Sequence, residues 1–170
     1  MLEQLARQWP RPPIGVIVGD LATDNDAQRL KSAGARSVQI RTGDLCHLEA
    51  DLVARAFVQL ETKGMDLLMI ENVGNLVSPT AFALGEHLRI ALISVTEGED
   101  KPLKYPTLFK SVDAVLINKI DLEEVVGFDR RAALANLRDT APQAEVFAIS
   151  ARSGAGVEAV MAWLQDEQRN

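Results

Sequence analysis

Apolar residues in this chain gather in short unbroken runs, each closed by a polar residue or glycine: Ile14-Gly15-Val16-Ile17-Val18, Leu67-Leu68-Met69-Ile70, Ile90-Ala91-Leu92-Ile93 and Ala114-Val115-Leu116-Ile117. Runs of this length without alternation predict strands covered on both faces, as inside a parallel sheet. Ser37-Val38-Gln39-Ile40 predicts a weaker strand, and Glu145 to Ile149 a last one. The segments between them switch to helical spacing. Leu2, Leu5, Ala6 and Trp9 form one face, stopped by the prolines at 10, 12 and 13. Thr23 or Asp24 caps a helix through Ala33 with Gly34 behind it. Leu48, Leu52, Val53, Ala56, Phe57 and Leu60 mark a helix running to Lys63. Further helices are expected from Leu103 to Lys110, from Asp129 to about Asp139, and from Gly156 to Gln165. Strands alternating with helices predict an α/β fold, a mostly parallel sheet with helices on both faces, in one domain spanning 1–170. The strand behind Asp66 is expected as an inner strand, the one around which the rest is arranged.

Composition narrows the function. The net charge is −6 and no basic run occurs, which argues against nucleic acid or an anionic membrane surface as partner. One cysteine excludes an internal disulfide. The first nine residues carry charges where a signal peptide needs an apolar core, and no apolar run reaches ~18 residues, so a cytoplasmic protein is expected.

Chemistry collects where the strands end, which is where open α/β sheets bind ligands. Glu71 and Asn72 follow one strand and Asp20 another. Asn118-Lys119-Ile120-Asp121 follows a third; its Asp can accept hydrogen bonds from N1 and the exocyclic amine of guanine, a pair adenine lacks, while the lysine stem covers the ring. Ser150-Ala151-Arg152 follows the last strand and can offer a backbone N–H to the guanine carbonyl oxygen. Either segment alone also fits a polar turn; both in order point to guanine. Cys46 and His47 pair a soft thiolate with an imidazole, suited to Ni²⁺ or Zn²⁺, although a lone cysteine also fits a buried small apolar residue. Asp24 fits a plain helix cap as well as a metal-organising carboxylate. His87, in an expected helix, fits a surface role, and Lys101 and Lys104 fit contact with phosphate or a partner subunit as well as ordinary solvation.

Taken together, Gly19-Asp20-Leu21-Ala22-Thr23-Asp24-Asn25-Asp26-Ala27, Cys46-His47-Leu48-Glu49-Ala50, Glu71-Asn72-Val73-Gly74-Asn75-Leu76-Val77, Thr96-Glu97-Gly98-Glu99-Asp100-Lys101-Pro102 and Asn118-Lys119-Ile120-Asp121 resemble the hydrogenase nickel-incorporation GTPases of the HypB type, over about residues 14–165. Urease-associated relatives match less well, having Cys-Pro-His where this chain has adjacent Cys46 and His47. The resemblance implies a P-loop NTPase-like fold of the SIMIBI class. It implies a metallochaperone that dimerises around GTP or GDP, binds nickel, and works with hydrogenase maturation accessory proteins on the large subunit of [NiFe]-hydrogenase. Carried over by position, Asn118, Lys119 and Asp121 would read guanine with Ser150 and Ala151, while Asp20, Asp24 and Glu71 would organise Mg²⁺ and the attacking water. Cys46 and His47 would bind the transition metal. The family pattern places a second cysteine where this chain has Ser78, a weaker ligand. Leu122, Val125 and Val126 fit dimer contacts, or core.

No G-x-x-x-x-G-K-[ST] segment occurs in these residues. In the family, a first strand and that phosphate loop precede the helix that opens this chain. The expectation is therefore a G domain incomplete at its N-terminus, a sheet with unpaired edges where a strand is missing, and poor GTP hydrolysis. The alternative is a non-enzymatic metal- or partner-binding module on the same scaffold.

Overall fold

The computed structural model describes residues 1–11, 13–20, 25–43 and 45–169. They form two compact units, residues 1–85 and 86–170. Each has its own three-stranded parallel sheet.

The first unit contains helix α1 (Leu2–Gln8), strand β1 (Gly15–Asp20), α2 (Asn25–Ser32), β2 (Arg36–Arg41), α3 (Ala50–Gln59) and β3 (Leu68–Glu71), in sheet order β2-β1-β3. Strand alternation sorts the helices. Val38 and Ile40 pack with Ile17, Val53, Ala56 and Leu60 on the α3 side, whereas Ser37, one residue before Val38 and so on the opposite face, donates to the carbonyl of Ala27 in α2 at 2.7 Å. The two helices therefore cover opposite faces. β1 is the buried centre, and Gly19 is small for a reason: a Cβ there would come within 2.8 Å of the Leu48 side chain. At the end of α1, the buried Trp9 indole donates to Asp66 at 3.0 Å, beside an Arg11–Asp66 ion pair at 3.1 Å.

The second unit contains β4 (Ile90–Ser94), the short helices α4 (Lys101–Lys104) and α5 (Pro106–Phe109), β5 (Ala114–Asn118), α6 (Glu123–Val126), α7 (Arg130–Thr140), β6 (Glu145–Ala148) and α8 (Val157–Glu167), in sheet order β4-β5-β6. β5 is covered on both faces and fills the core with Phe109, Leu137, Ile149 and Val160. Asp129 caps α7, accepting from the Ala132 amide at 3.0 Å.

The α/β class and the parallel pairing hold. Five expectations do not. β3 is an edge strand rather than an inner one, half-buried and paired only with β1 among the described residues. The helix expected over Leu103–Lys110 breaks at Tyr105, because Pro106 supplies no N–H and disfavours a helical predecessor. The helix expected to reach Lys63 ends at Gln59, where Leu60 turns extended. His87 is exposed in an irregular stretch, not a helix. A fifth concerns β4, which among the described residues pairs only with β5 and alternates exposed Ile90 and Leu92 with buried Ala91 and Ile93.

Candidate functional site

All three strands of a parallel sheet end on one side, and in each unit the chemistry predicted from sequence sits on that side. In the second unit, β5 delivers Asn118 to its end. Lys119 then takes a left-handed conformation with φ 64°, the one non-glycine residue described with positive φ. That turn lets Asn118 Oδ1 accept from the Lys119 amide at 2.8 Å and from the Ala151 amide at 3.0 Å. Beside it the Ile120 amide donates to the Ile149 carbonyl at 3.2 Å. The two loops, 33 residues apart for the Asn118–Ala151 bond, are thus held by the Asn118 side chain and by a backbone pair. Ser150, with no exposed surface, donates its hydroxyl to Asp121 Oδ1 at 2.5 Å and accepts from the Ser153 amide at 3.2 Å. A buried hydroxyl thereby orients the carboxylate, whose other oxygen remains to meet donors from a ligand. Of the backbone N–H groups of Ser150-Ala151-Arg152, the Ala151 one is engaged by Asn118. Gly156 supports the loop from below, with φ 74° and a Cβ position that would collide with the Ala148 carbonyl.

In the first unit, Asp20 closes β1 and Glu71 closes β3. Glu71 is raised above the ordinary carboxylate range, first by desolvation of its carboxylate and then by the like charge of Asp26, with Asp20 adding to it and Arg29 offsetting part. The residue retains exposed surface, so the effect is moderate. Arg29 is shared with Glu3 at 2.6 Å and Asp26 at 3.6 Å. Asp24 and Thr23 lie outside the described residues.

Cys46, His47 and Ser78 come together. The Cys46 thiol lies 3.0 Å from the Ser78 hydroxyl and 3.9 Å from Nδ1 of His47. Cys46 is exposed, so the buried-apolar reading of the lone cysteine fails. The hydrogen bond with His47, and then that with Ser78, lower its pKa and favour the thiolate that a metal needs. A tetrahedral ion bound at about 2.3 Å to sulfur and about 2.0–2.1 Å to nitrogen sets S···N near 3.6 Å, so the observed spacings fit one ion between these donors with little movement. The donor set is thin, however. Among the described residues no group of three His, Cys, Asp or Glu side chains could hold a metal, because the third donor is a hydroxyl.

Two asparagines that the sequence reading did not assign to this cluster build it. Asn75 Oδ1 accepts from the Val77 and Ser78 amides at 2.8 and 3.0 Å, and its Nδ2 donates to the Cys46 carbonyl at 2.7 Å. Asn72, expected to face ligand, instead accepts from the Leu48 amide at 2.8 Å and from its neighbour Val73 at 2.9 Å. Both tie the loop after β3 to the Cys46–Leu48 segment. The signal was an Asx-turn pattern, Asn75 two and three residues before the amides it caps.

Val125 and Val126 are exposed rather than core. Lys101 and Lys104 are paired with Glu97 at 3.8 Å and Asp100 at 2.6 Å. No helix among the described residues is long and apolar enough to cross a membrane.

Residues 1–148 match the model of the CobW/HypB/UreG nucleotide-binding domain. A hydrogenase maturation factor HypB of Azotobacter chroococcum is 50% identical over 92% of this chain, which spans 51% of that relative. The chain thus spans about half the length of the curated relative it matches. The crystal structure of HypB from Helicobacter pylori in complex with nickel superposes with a TM-score of 0.93 at 41% identity, covering 99% of this chain and 80% of that one. HypB from Archaeoglobus fulgidus gives 0.87 at 34% identity, covering 98% and 81%. Fold, strand-end motifs and identity across four fifths of solved relatives agree, and the chain belongs to the HypB group of the CobW/HypB/UreG nucleotide-binding family.

Proposed function

We propose that this chain is the guanine-nucleotide- and nickel-binding part of a hydrogenase maturation factor, acting in the cytoplasm as a homodimer with other maturation proteins and the hydrogenase large subunit. The observation that carries the nucleotide half is the buried Ser150 hydroxyl on Asp121, which leaves an oriented carboxylate oxygen for guanine N1 and its amine. Asn118 and Lys119 complete the base site, the lysine stem lying over the ring. Asp20 and Glu71, with Asp24, serve Mg²⁺ through carboxylate oxygens, the ligand type that ion prefers. Cys46 and His47 take Ni²⁺ or Zn²⁺, with Ser78 as the weak third donor. Leu122, Val125 and Val126 are the proposed apolar contacts of the dimer.

The proposal is one of binding, since no phosphate-cradling G-x-x-x-x-G-K-[ST] segment occurs in these residues. The second reading is a module that holds metal or partner without turnover. Calorimetric titration with GDP·Mg²⁺, against ADP·Mg²⁺ as control, separates them. Micromolar binding of GDP alone supports the nucleotide reading. Binding of neither by folded protein defeats it and leaves the metal module.

A further inference from the structure

His47 meets a different environment at each ring nitrogen. Nδ1 faces the Cys46 thiol at 3.9 Å. Nε2 is buried, has no hydrogen-bond partner, and lies 3.7 Å from Oε1 of Glu49. Phe82 stacks on the ring, with centroids 4.0 Å apart and planes 9° from parallel, which fixes the plane and leaves rotation within it as the remaining freedom. The thiol and the Ser78 hydroxyl, themselves 3.0 Å apart, both belong to the Nδ1 side.

A metal held by Cys46 therefore meets His47 at Nδ1. Binding there fixes the tautomer, and the ring proton must sit on Nε2. A buried N–H with no acceptor is costly, and Glu49 is the carboxylate in reach. Its backbone is anchored as the N-cap of α3, accepting from the Leu52 and Val53 amides at 3.0 and 3.1 Å, while its half-exposed side chain makes no capping bond. Closing 3.7 Å to an ordinary N–H···O length asks for about 0.8 Å of side-chain movement. The opposite arrangement, metal on Nε2, would place the ion with Glu49 at a nitrogen without accessible surface and away from the thiolate.

We propose that Glu49 is a positioning residue for a divalent metal at Nδ1 of His47: it accepts a hydrogen bond from the Nε2–H and holds the imidazole toward Cys46, with Phe82 setting the ring plane. This rests on the metal reading of Cys46, His47 and Ser78. It predicts that metal uptake pulls Glu49 in, so the carboxylate and the ion are coupled through the ring without touching.

The test uses the full chain, Ni²⁺ competed against a chromophoric chelator, and nitrogen NMR of the Zn²⁺-loaded protein to read the His47 tautomer. Expected are metal on Nδ1 with the proton on Nε2, a loss of Ni²⁺ affinity of about 10- to 100-fold in Glu49→Ala, and a smaller loss in Glu49→Gln, which keeps an acceptor oxygen. Because the Glu49 side chain makes no helix-capping bond, Glu49→Ala leaves the start of α3 intact, and circular dichroism checks this. Cys46→Ala distinguishes the two levels. If it abolishes binding while Glu49→Ala stays within twofold of the parent, or if NMR places the metal on Nε2, the role of Glu49 is overturned and the metal reading stands. If Cys46→Ala binds Ni²⁺ like the parent, the metal reading itself falls, and this inference with it.

Discussion

The two strand-end clusters, one in each unit, are built on opposite plans. At the end of β5 the polar groups are already joined: Asn118 to two amides, Ser150 to Asp121 and to Ser153, with Ser150 fully buried. Around Cys46 the backbone is clamped by Asn72 and Asn75, yet the side chains are less engaged: an exposed thiol 3.0 Å from the Ser78 hydroxyl and a buried His47 ring nitrogen without a hydrogen-bond partner. A planar base offers fixed donors and acceptors, so its site gains from being made in advance. A metal supplies the bonds that assemble its own ligands, so its site can wait half-made.

Breaking the preformed side should have the larger consequence. Gly156→Ala places a Cβ on the Ala148 carbonyl at a φ of 74°, which combines left-handed strain with overpacking for a cost of about 2–4 kcal/mol. Urea denaturation should show the midpoint falling, and GDP binding should fall with it, since the same loop carries Ser150 and Ala151. A parent-like midpoint would mean the loop is not held as described. Ser150→Ala is the milder cut on that side. Losing the bond to Asp121 should lower GDP affinity roughly tenfold, about 1.4 kcal/mol, with ADP unaffected. Equal affinity for GDP would show that Asp121 needs no support.

The loose side can be sharpened rather than broken. Ser78→Cys exchanges a hydroxyl 3.0 Å from the Cys46 thiol for a second soft donor, and should tighten Ni²⁺ about tenfold or more in a chelator competition. Under oxidising conditions the same variant should form a disulfide, so the titration needs reductant. No gain in affinity would argue that Ser78 turns away when metal binds.

The smallest effect concerns Glu71. Its folded-state pKa is raised, so the folded protein holds the proton more tightly than the unfolded chain, and stability falls as pH rises through that interval. At neutral pH the ionised carboxylate is therefore a burden. Glu71→Gln should raise the midpoint slightly at pH 7 and flatten the loss of stability that sets in as pH rises above the ordinary Glu value of about 4.3. It should also weaken Mg²⁺-dependent GDP binding. A midpoint that falls instead would place Glu71 among the stabilising groups.

The apolar runs located the strands because a strand covered on both faces has few alternatives. They misplaced β3 in its sheet, since edge or centre depends on which other segment pairs beside it, and no local pattern carries that. Pro106 breaks a segment whose apolar spacing is otherwise helical, so spacing and the proline's missing N–H give opposite signals there. Cys46 and His47 were legible by adjacency; Ser78, 32 residues away from Cys46, entered through family resemblance, because spacing alone does not join loops. Asn72 and Asn75 were read as ligand-facing or passed over, although a short amide side chain next to a turn more simply serves its own backbone.

By itself the amino-acid sequence determined the α/β class, the parallel strands, the guanine-type motif and the thiolate beside an imidazole. Each follows from residues close together in the chain, where periodicity and chemical type are direct physical constraints. Only the tertiary structure decided that Asn118 holds the Ala151 amide, that Ser150 orients Asp121, and that His47 turns one nitrogen to Cys46 and the other to Glu49. Those outcomes depend on which loops meet in space and on which atoms water can no longer reach.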